Sequence, residues 1–336
     1  MSGGTAGGEA LDDVLAVPAE VRARLVVRFG PWAEAWCEGL PALVTELAAR
    51  WGLTVRAAGG GGTSRVFRCS RTDGDGSGDG VGDPGEGDGV GHAGEGDSGS
   101  GDRGEGGAGG GADGGTVWLK LTPDPEVARQ EAVALRAWAG LPSVVRLLEY
   151  EPAAHALLLA DVRPGVTLRQ RGWRAAEVAP LLGALRSVPV DGLALAPLAE
   201  RVEFLLDLTE RRAPGAVSPG ARAFAGELAA SGPVALVHGD LHPSNVLAGP
   251  AGPVAIDPRP SLGDPDFDLV DWVIDGVTDL PALEHRIARL TGLVPGADPE
   301  RVRAWCRAAA VIVAAPRAAA GRQDRETAFL LELAGL

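Results

Sequence analysis

Two carboxylates and one amide, set close together behind short apolar runs, constrain this 336-residue chain more than any other feature it carries. The segment Val237-His238-Gly239-Asp240-Leu241-His242-Pro243-Ser244-Asn245-Val246-Leu247 leads by a short loop into Ala255-Ile256-Asp257-Pro258. Asp240, Asn245 and Asp257 thus follow strand-like residues at separations of five and twelve. Phosphoryl transfer needs such a set: one carboxylate accepts the hydrogen bond of an attacking hydroxyl, while an amide oxygen and a second carboxylate hold Mg²⁺ against the phosphates. Asp240 suits the first role, and Asn245 with Asp257 the second.

Compositional drift sharpens this reading. Of the 31 Lys+Arg positions 30 are Arg; the sole Lys is Lys120 and the sole Asn is Asn245. Arg presents a broad planar fork and Lys a compact point charge, so a solitary Lys points to a site that excludes guanidinium. Lys120 sits in Val117-Trp118-Leu119-Lys120-Leu121, which reads as a strand, and Glu131 follows eleven residues later on a helix-like stretch.

Several function classes are excluded. The net charge is -14 and no run of five to eight residues is rich in Lys and Arg, which argues against a nucleic-acid partner. The acidic balance fits a cationic acceptor, but residues 71 to 116, with eight Asp and three Glu against two Arg, carry -9 of it and leave the remainder only mildly acidic. Cys37, Cys69 and Cys306 form no C-x-x-C pair, as in a reduced, cytoplasmic protein without a disulfide framework. The N-terminus lacks a basic stretch followed by an apolar one, and the most apolar run, near residues 308 to 320, is cut by Pro316-Arg317; neither secretion nor membrane insertion is expected. Walker A, H-E-x-x-H and G-x-S-x-G motifs are all absent.

Hydrophobic periodicity divides the chain. Residues 11 to about 50 read as two amphipathic helices broken at Gly30-Pro31. Short strands are expected at Leu53–Ala58, Arg65–Ser70, Thr116–Leu121, Val144–Glu149 and Ala156–Ala160, with a helix over Glu126–Trp138. Between the second and third strands, a tract of Gly, Asp, Glu and Ser over 71–115 cannot bury a core and is expected to be a disordered hairpin insertion. From Pro164 onward the pattern is mainly helical, with one β-like interruption combining Val234–Val237 and Val254–Ile256. The expected fold is α+β: a flexible N-terminus (1–10), an N-terminal lobe (11–162) built on an antiparallel five-stranded sheet plus helix, and a helical C-terminal lobe (163–336).

The string His238-Gly239-Asp240-Leu241-His242 with Asn245, followed by Ile256-Asp257, resembles the catalytic loop of the aminoglycoside phosphotransferase branch of the protein-kinase-like superfamily. The resemblance implies a bilobal kinase fold, Asp240 as catalytic aspartate, Asn245 and Asp257 as Mg²⁺ ligands, and His238 as a structural brace. It implies further that Lys120, held by Glu131, reaches the α/β-phosphates of ATP; that Gly60, Gly61, Gly62, Thr63 and Ser64 form the phosphate-covering turn; and that the backbone at Ala160 and Val162 meets the adenine edge. Gly239 and Pro258 depart from protein kinases, and only Pro258–Pro265 separates Asp257 from the next helix-like stretch, too little for a regulatory loop.

The leader Arg28-Phe29-Gly30, Trp36, Leu40-Pro41 and Arg50-Trp51-Gly52-Leu53, together with Asp257-Pro258-Arg259-Pro260, is similar to the streptomycin and hydroxyurea phosphotransferase subgroup. This implies an ATP-dependent antibiotic resistance kinase, monomeric or weakly dimeric, acting on a hydroxylated small molecule. Glu200, Glu203, Asp207, Glu210, Asp271 and Asp275 are candidates to hold a cationic acceptor, and Pro316-Arg317 is expected to interrupt the late helix near it. A kinase of another metabolite and a nucleotide-binding scaffold are the alternatives; retention of Lys120, Asp240, Asn245 and Asp257 weighs against the scaffold.

Overall fold

Strand alternation decides which way Lys120 points. The computed structural model describes residues 11, 13–60, 63–71 and 115–335. The expected flexible N-terminus, Gly61, Gly62 and all of the insertion except Arg71 and Gly115 lie outside these residues. In β3 (Thr116–Leu121), Val117, Leu119 and Leu121 enter one hydrophobic core, so that Trp118 and Lys120 are left for the opposite face. β2 (Arg65–Arg71) does the same: Phe67 and Cys69 go into that core, while Val66, Arg68 and Ser70 line a cleft.

These strands belong to a five-stranded antiparallel sheet in the order β1-β2-β3-β5-β4, with β1 at Leu53–Gly60, β4 at Leu147–Glu151 and β5 at Ala156–Ala160. The two leading helices, α1 (Ala19–Phe29) and α2 (Trp32–Arg50), form as expected, and α2 passes through Pro41 without ending. Leu40, Val44 and Leu47 of α2 cover the core face of the sheet. On the cleft side lies α3 (Pro125–Ala137), started by Asp124, whose carboxylate accepts from the Glu126 amide. Ala128, Ala132 and Leu135 of α3 join one continuous core with Leu157 and Leu159 of β5 and with the helical part of the chain.

The remaining helices are α4 (Leu168–Arg171), α5 (Ala175–Arg186), α6 (Leu198–Arg212), α7 (Pro219–Ala229), α8 (Val270–Ile274), α9 (Leu280–Thr291), α10 (Pro299–Ala319) and α11 (Arg325–Ala334). Two expectations are corrected here. The β-like segments do not pair with one another: β6 (Ala235–Val237) pairs with β9 (Ser261–Gly263), and β7 (Val246–Gly249) with β8 (Gly252–Ala255), so the catalytic string spans two separate ribbons. Nor does Pro316-Arg317 interrupt α10, which runs unbroken to Ala319 with Pro316 in its last turn, where the missing N–H removes one backbone bond from a helix already packed along its length. No helix among the described residues is long and apolar enough to cross a membrane.

Candidate active site

The cleft between sheet and helices measures about 1590 Å³, and it gathers Lys120, Asp240, Asn245 and Asp257 although 137 residues separate the first from the last. Lys120 Nζ donates to both carboxylate oxygens of Glu131, at 2.7 and 2.5 Å, and to Asp257 Oδ1 at 2.6 Å. Glu131 is fully buried, and among the described residues its opposite charges are Lys120 and, at 3.8 Å, Arg259. A buried carboxylate of this kind requires such partners. Arg259 also lies 3.0 Å from Asp257 Oδ1 and bonds to the Thr63 hydroxyl, tying the glycine-rich turn to the metal-ligand candidate. Burial alone would raise the Asp257 carboxyl, but the cations of Lys120 and Arg259 hold it well below the usual range.

Asp257 has φ +57°, a left-handed conformation that Asp tolerates better than most residues. The turn it makes lets Arg259 double back, its amide donating to the His238 carbonyl at 2.8 Å. Gly239, at φ +74°, faces that return: a Cβ there would come within 2.1 Å of the Arg259 carbonyl oxygen.

Asp240 is positioned from three sides. Asn245 Nδ2 donates to the Asp240 carbonyl at 3.0 Å and to Oδ2 at 3.2 Å, which leaves the Asn245 amide oxygen for another ligand. Arg201 of α6 donates through Nε and a terminal nitrogen to the Gly239 carbonyl, both at 3.2 Å, and stands 3.6 Å from Asp240 Oδ1. Asp268 lies in the 3₁₀ turn Pro265–Leu269 and accepts from the His238 and Gly239 amides at 2.7 and 2.9 Å. Burial pushes the Asp268 carboxyl up to about 7 against the pull of these two donors.

His238 braces the loop as expected. Its Nε2 meets the Ile256 carbonyl at 3.1 Å, its ring stacks on Trp138 at 6.1 Å, and burial lowers it to about 4, so it stays neutral.

Of the other expected site residues, Gly60 ends β1, Thr63 and Ser64 are buried at the cleft, and the Ser64 hydroxyl has no hydrogen-bond partner. Gly61 and Gly62 lie outside the described residues. Ala160 and Val162 line the cleft; the Ala160 amide donates to the Arg146 carbonyl at 2.9 Å, so an adenine contact at Ala160 falls to its carbonyl.

The carboxylates expected to hold a cation, Glu200, Glu203, Asp207, Glu210, Asp271 and Asp275, do not line the cleft, although Asp271 is buried near enough to Asp240 and His242 for their charges to act on it. Glu203 and Asp207 pair with Arg222, Glu210 accepts from the Gly215 and Val217 amides, and Asp275 pairs with Arg169. The face of α6 that does reach the cleft carries Arg201, Phe204, Leu205, Leu208 and Arg212, one helical stripe opposite those acids. Sequence reasoning missed Arg28, Arg201, Arg259 and Asp268. The α6 stripe is a spacing that could have found Arg201.

The family described as aminoglycoside/hydroxyurea antibiotic resistance kinase matches residues 110–321. A hydroxyurea phosphotransferase of Kitasatospora aureofaciens is 34% identical over 310 residues, covering 87% of this chain and 77% of the relative. A streptomycin 6-kinase of Streptomyces glaucescens is 30% identical over 310 residues, 86% of each chain. The choline kinase LicA from Streptococcus pneumoniae superposes with a TM-score of 0.54 at 15% identity, over 88% of this chain and 98% of that one, which is a likeness of fold. With the sheet, the cleft and the string from His238 to Asp257 in the arrangement described, these matches make the chain a member of the aminoglycoside/hydroxyurea antibiotic resistance kinase family.

Proposed function

We propose that the protein transfers the γ-phosphoryl group of ATP to a hydroxyl of a small molecule, with Asp240 as the catalytic carboxylate. Hydroxyurea and streptomycin, for which its relatives are named, are the first acceptors to try. The observation that carries this reading is the bonded series Glu131–Lys120–Asp257, which joins sheet, helix and catalytic string in one cleft beside Asp240.

The donor set suits magnesium. Asp257 supplies a carboxylate and Asn245 an unengaged amide oxygen, hard oxygen ligands of the kind Mg²⁺ takes alongside phosphates. When bound, the ion neutralises charge on the phosphates. Lys120 and the orphaned Ser64 hydroxyl are the cleft's donors for phosphate oxygens, and Val162 and the Ala160 carbonyl offer an adenine edge.

Asp240 accepts the hydrogen bond of the acceptor hydroxyl and takes its proton as the new O–P bond forms and the bond to the β-phosphate oxygen breaks. Asn245 and Arg201 keep that carboxylate aimed. Three buried free cysteines suit a reducing compartment, and the reading extends to work in the cytoplasm by a monomer or weak dimer.

Mass spectrometry of reactions containing Mg²⁺-ATP with streptomycin, other aminoglycosides and hydroxyurea tests the reading. A gain of about 80 Da on one compound, the transferred phosphoryl group, is expected. Nucleotide binding without turnover of any hydroxylated compound would favour a scaffold.

A further inference from the structure

The acceptor side of the cleft is cationic where the sequence led to an expectation of acid. Arg201 and Arg212 stand on the cleft face of α6, and Arg28 reaches over from the end of α1. The Phe204 ring lies between two of them, 5.2 Å from the Arg28 guanidinium carbon and 5.7 Å from that of Arg201. Arg201 has the Gly239 carbonyl and, at 3.6 Å, Asp240. Neither Arg28 nor Arg212 has a carboxylate partner or a hydrogen bond among the described residues.

Guanidinium groups normally meet anions when partly buried, and like charges that share a site without one raise each other's free energy. Arg28 feels this: burial first, then the charges of Arg259 and Arg201, bring it down to about 10. Of the nearby carboxylates, Asp240 acts on Arg28 without bonding to it, and Glu203 and Asp207 are held by Arg222 on the far face of α6.

From this we infer that the site beyond Asp240, formed by Arg28, Phe204 and Arg212, recognises an anionic group, and that the preferred acceptor is a hydroxylated compound bearing a carboxylate or phosphate. The inference rests on the phosphotransferase reading and selects among its substrates. A cation such as a guanidinium-bearing aminoglycoside meets repulsion here, a neutral acceptor meets none, and an acidic one gains two charge-assisted hydrogen-bond partners. Phe204 adds an apolar wall against which a sugar ring or short carbon skeleton can lie.

The same cations could instead meet the γ-phosphate, so the test begins with that phosphate already in place. The full-length protein is saturated with Mg²⁺ and the non-hydrolysable analogue AMP-PNP. It is then titrated with glucuronate, glucose and glucosamine, which share a hydroxylated ring and differ in charge. Glucuronate is expected to bind about tenfold tighter than glucosamine, with glucose between, and the spread should shrink as salt is raised. Arg28→Gln and Arg212→Gln should each remove most of that spread, whereas Arg212→Lys should retain it; unchanged melting confirms that the variants fold.

An equal or reversed order, or no binding of glucuronate, overturns the inference. So does a pattern in which the variants weaken AMP-PNP relative to ADP and leave the sugars alike, which would assign the cations to the nucleotide. The phosphotransferase reading is judged separately, by whether wild-type protein binds and turns over Mg²⁺-ATP at all.

Discussion

Lys120 and Arg259, the buried cations lining the Lys120 end of the cleft, meet carboxylates within 3.0 Å, Lys120 with Glu131 and Asp257 and Arg259 with Asp257. At the Arg28 and Arg212 end the cations have no carboxylate partner of that kind among the described residues: Arg28 lies over the Phe29 and Phe204 rings and feels Asp240 more distantly. The first assembly is complete without a ligand and keeps its shape; the second is completed only by what arrives. Asp240 lies at the border of the two, bonded by Asn245 on one side and approached by Arg201 on the other. A cleft so divided presents a rigid nucleotide floor and an acceptor wall whose charge is unsettled.

The border is the place to break this contrast most severely. Asp240→Asn keeps the shape and the Asn245 contacts but cannot take a proton, and kcat should fall by about 10² to 10⁴ with little change in melting temperature. Steady-state kinetics beside calorimetry check it; near-normal turnover would remove Asp240 from its role.

Lys120→Met addresses the completed end. It leaves Glu131 fully buried with only Arg259 at 3.8 Å, and should cost about 3 kcal/mol of stability, read by chemical denaturation. If stability is unchanged, the assembly is not self-supporting and the contrast fails.

A smaller effect lies beneath the floor, in two groups with opposite pH slopes. His238 takes its proton near 6.5 when unfolded and near 4 when folded, so between these values the unfolded chain binds more protons and stability rises with pH. Asp268 keeps its proton to about 7 when folded but loses it near 3.8 when unfolded, so across the same window stability falls with pH. The two nearly cancel in the wild type. His238→Gln should expose the Asp268 slope, a loss of up to about 1.4 kcal/mol per pH unit from pH 4 to 6.5; a flat profile in that variant would contradict it.

What could be read from the sequence follows from how local the signal is. The strand Thr116–Leu121 and the string from His238 to Asp257 carry their own periodicity and chemistry, and the solitary Lys120 and Asn245 stood out against the compositional drift. Glu131 was legible through the family resemblance, which sets it on the helix that follows the Lys120 strand. The charge of the acceptor wall was not legible. Glu203 and Arg201 are neighbours on α6, and only the rotation of that helix, set by its packing under α7 and α10, decides which of them faces the cleft. Arg28 depends on a contact between the first helix and the sixth, which no local pattern encodes. Asp268 was hidden for a similar reason, since Asp264, Asp266 and Asp268 look alike in sequence. They part only in three dimensions, toward Trp305 and Arg301, toward Arg186, and toward the catalytic loop.

The Arg71 amide donates to the Gly115 carbonyl at 3.3 Å, directly across the pair β2 and β3. The chain therefore departs and returns at one rung of the ladder, with Lys120 five positions beyond Gly115 along an already fixed strand. The register of β2 with β3 is held by the ladder itself, and doubling the length of a connection adds only about 0.6 kcal/mol to its closure. A fluorescent reporter inserted beyond that rung should leave the register of β2 with β3, and with it the lysine's aim, in place.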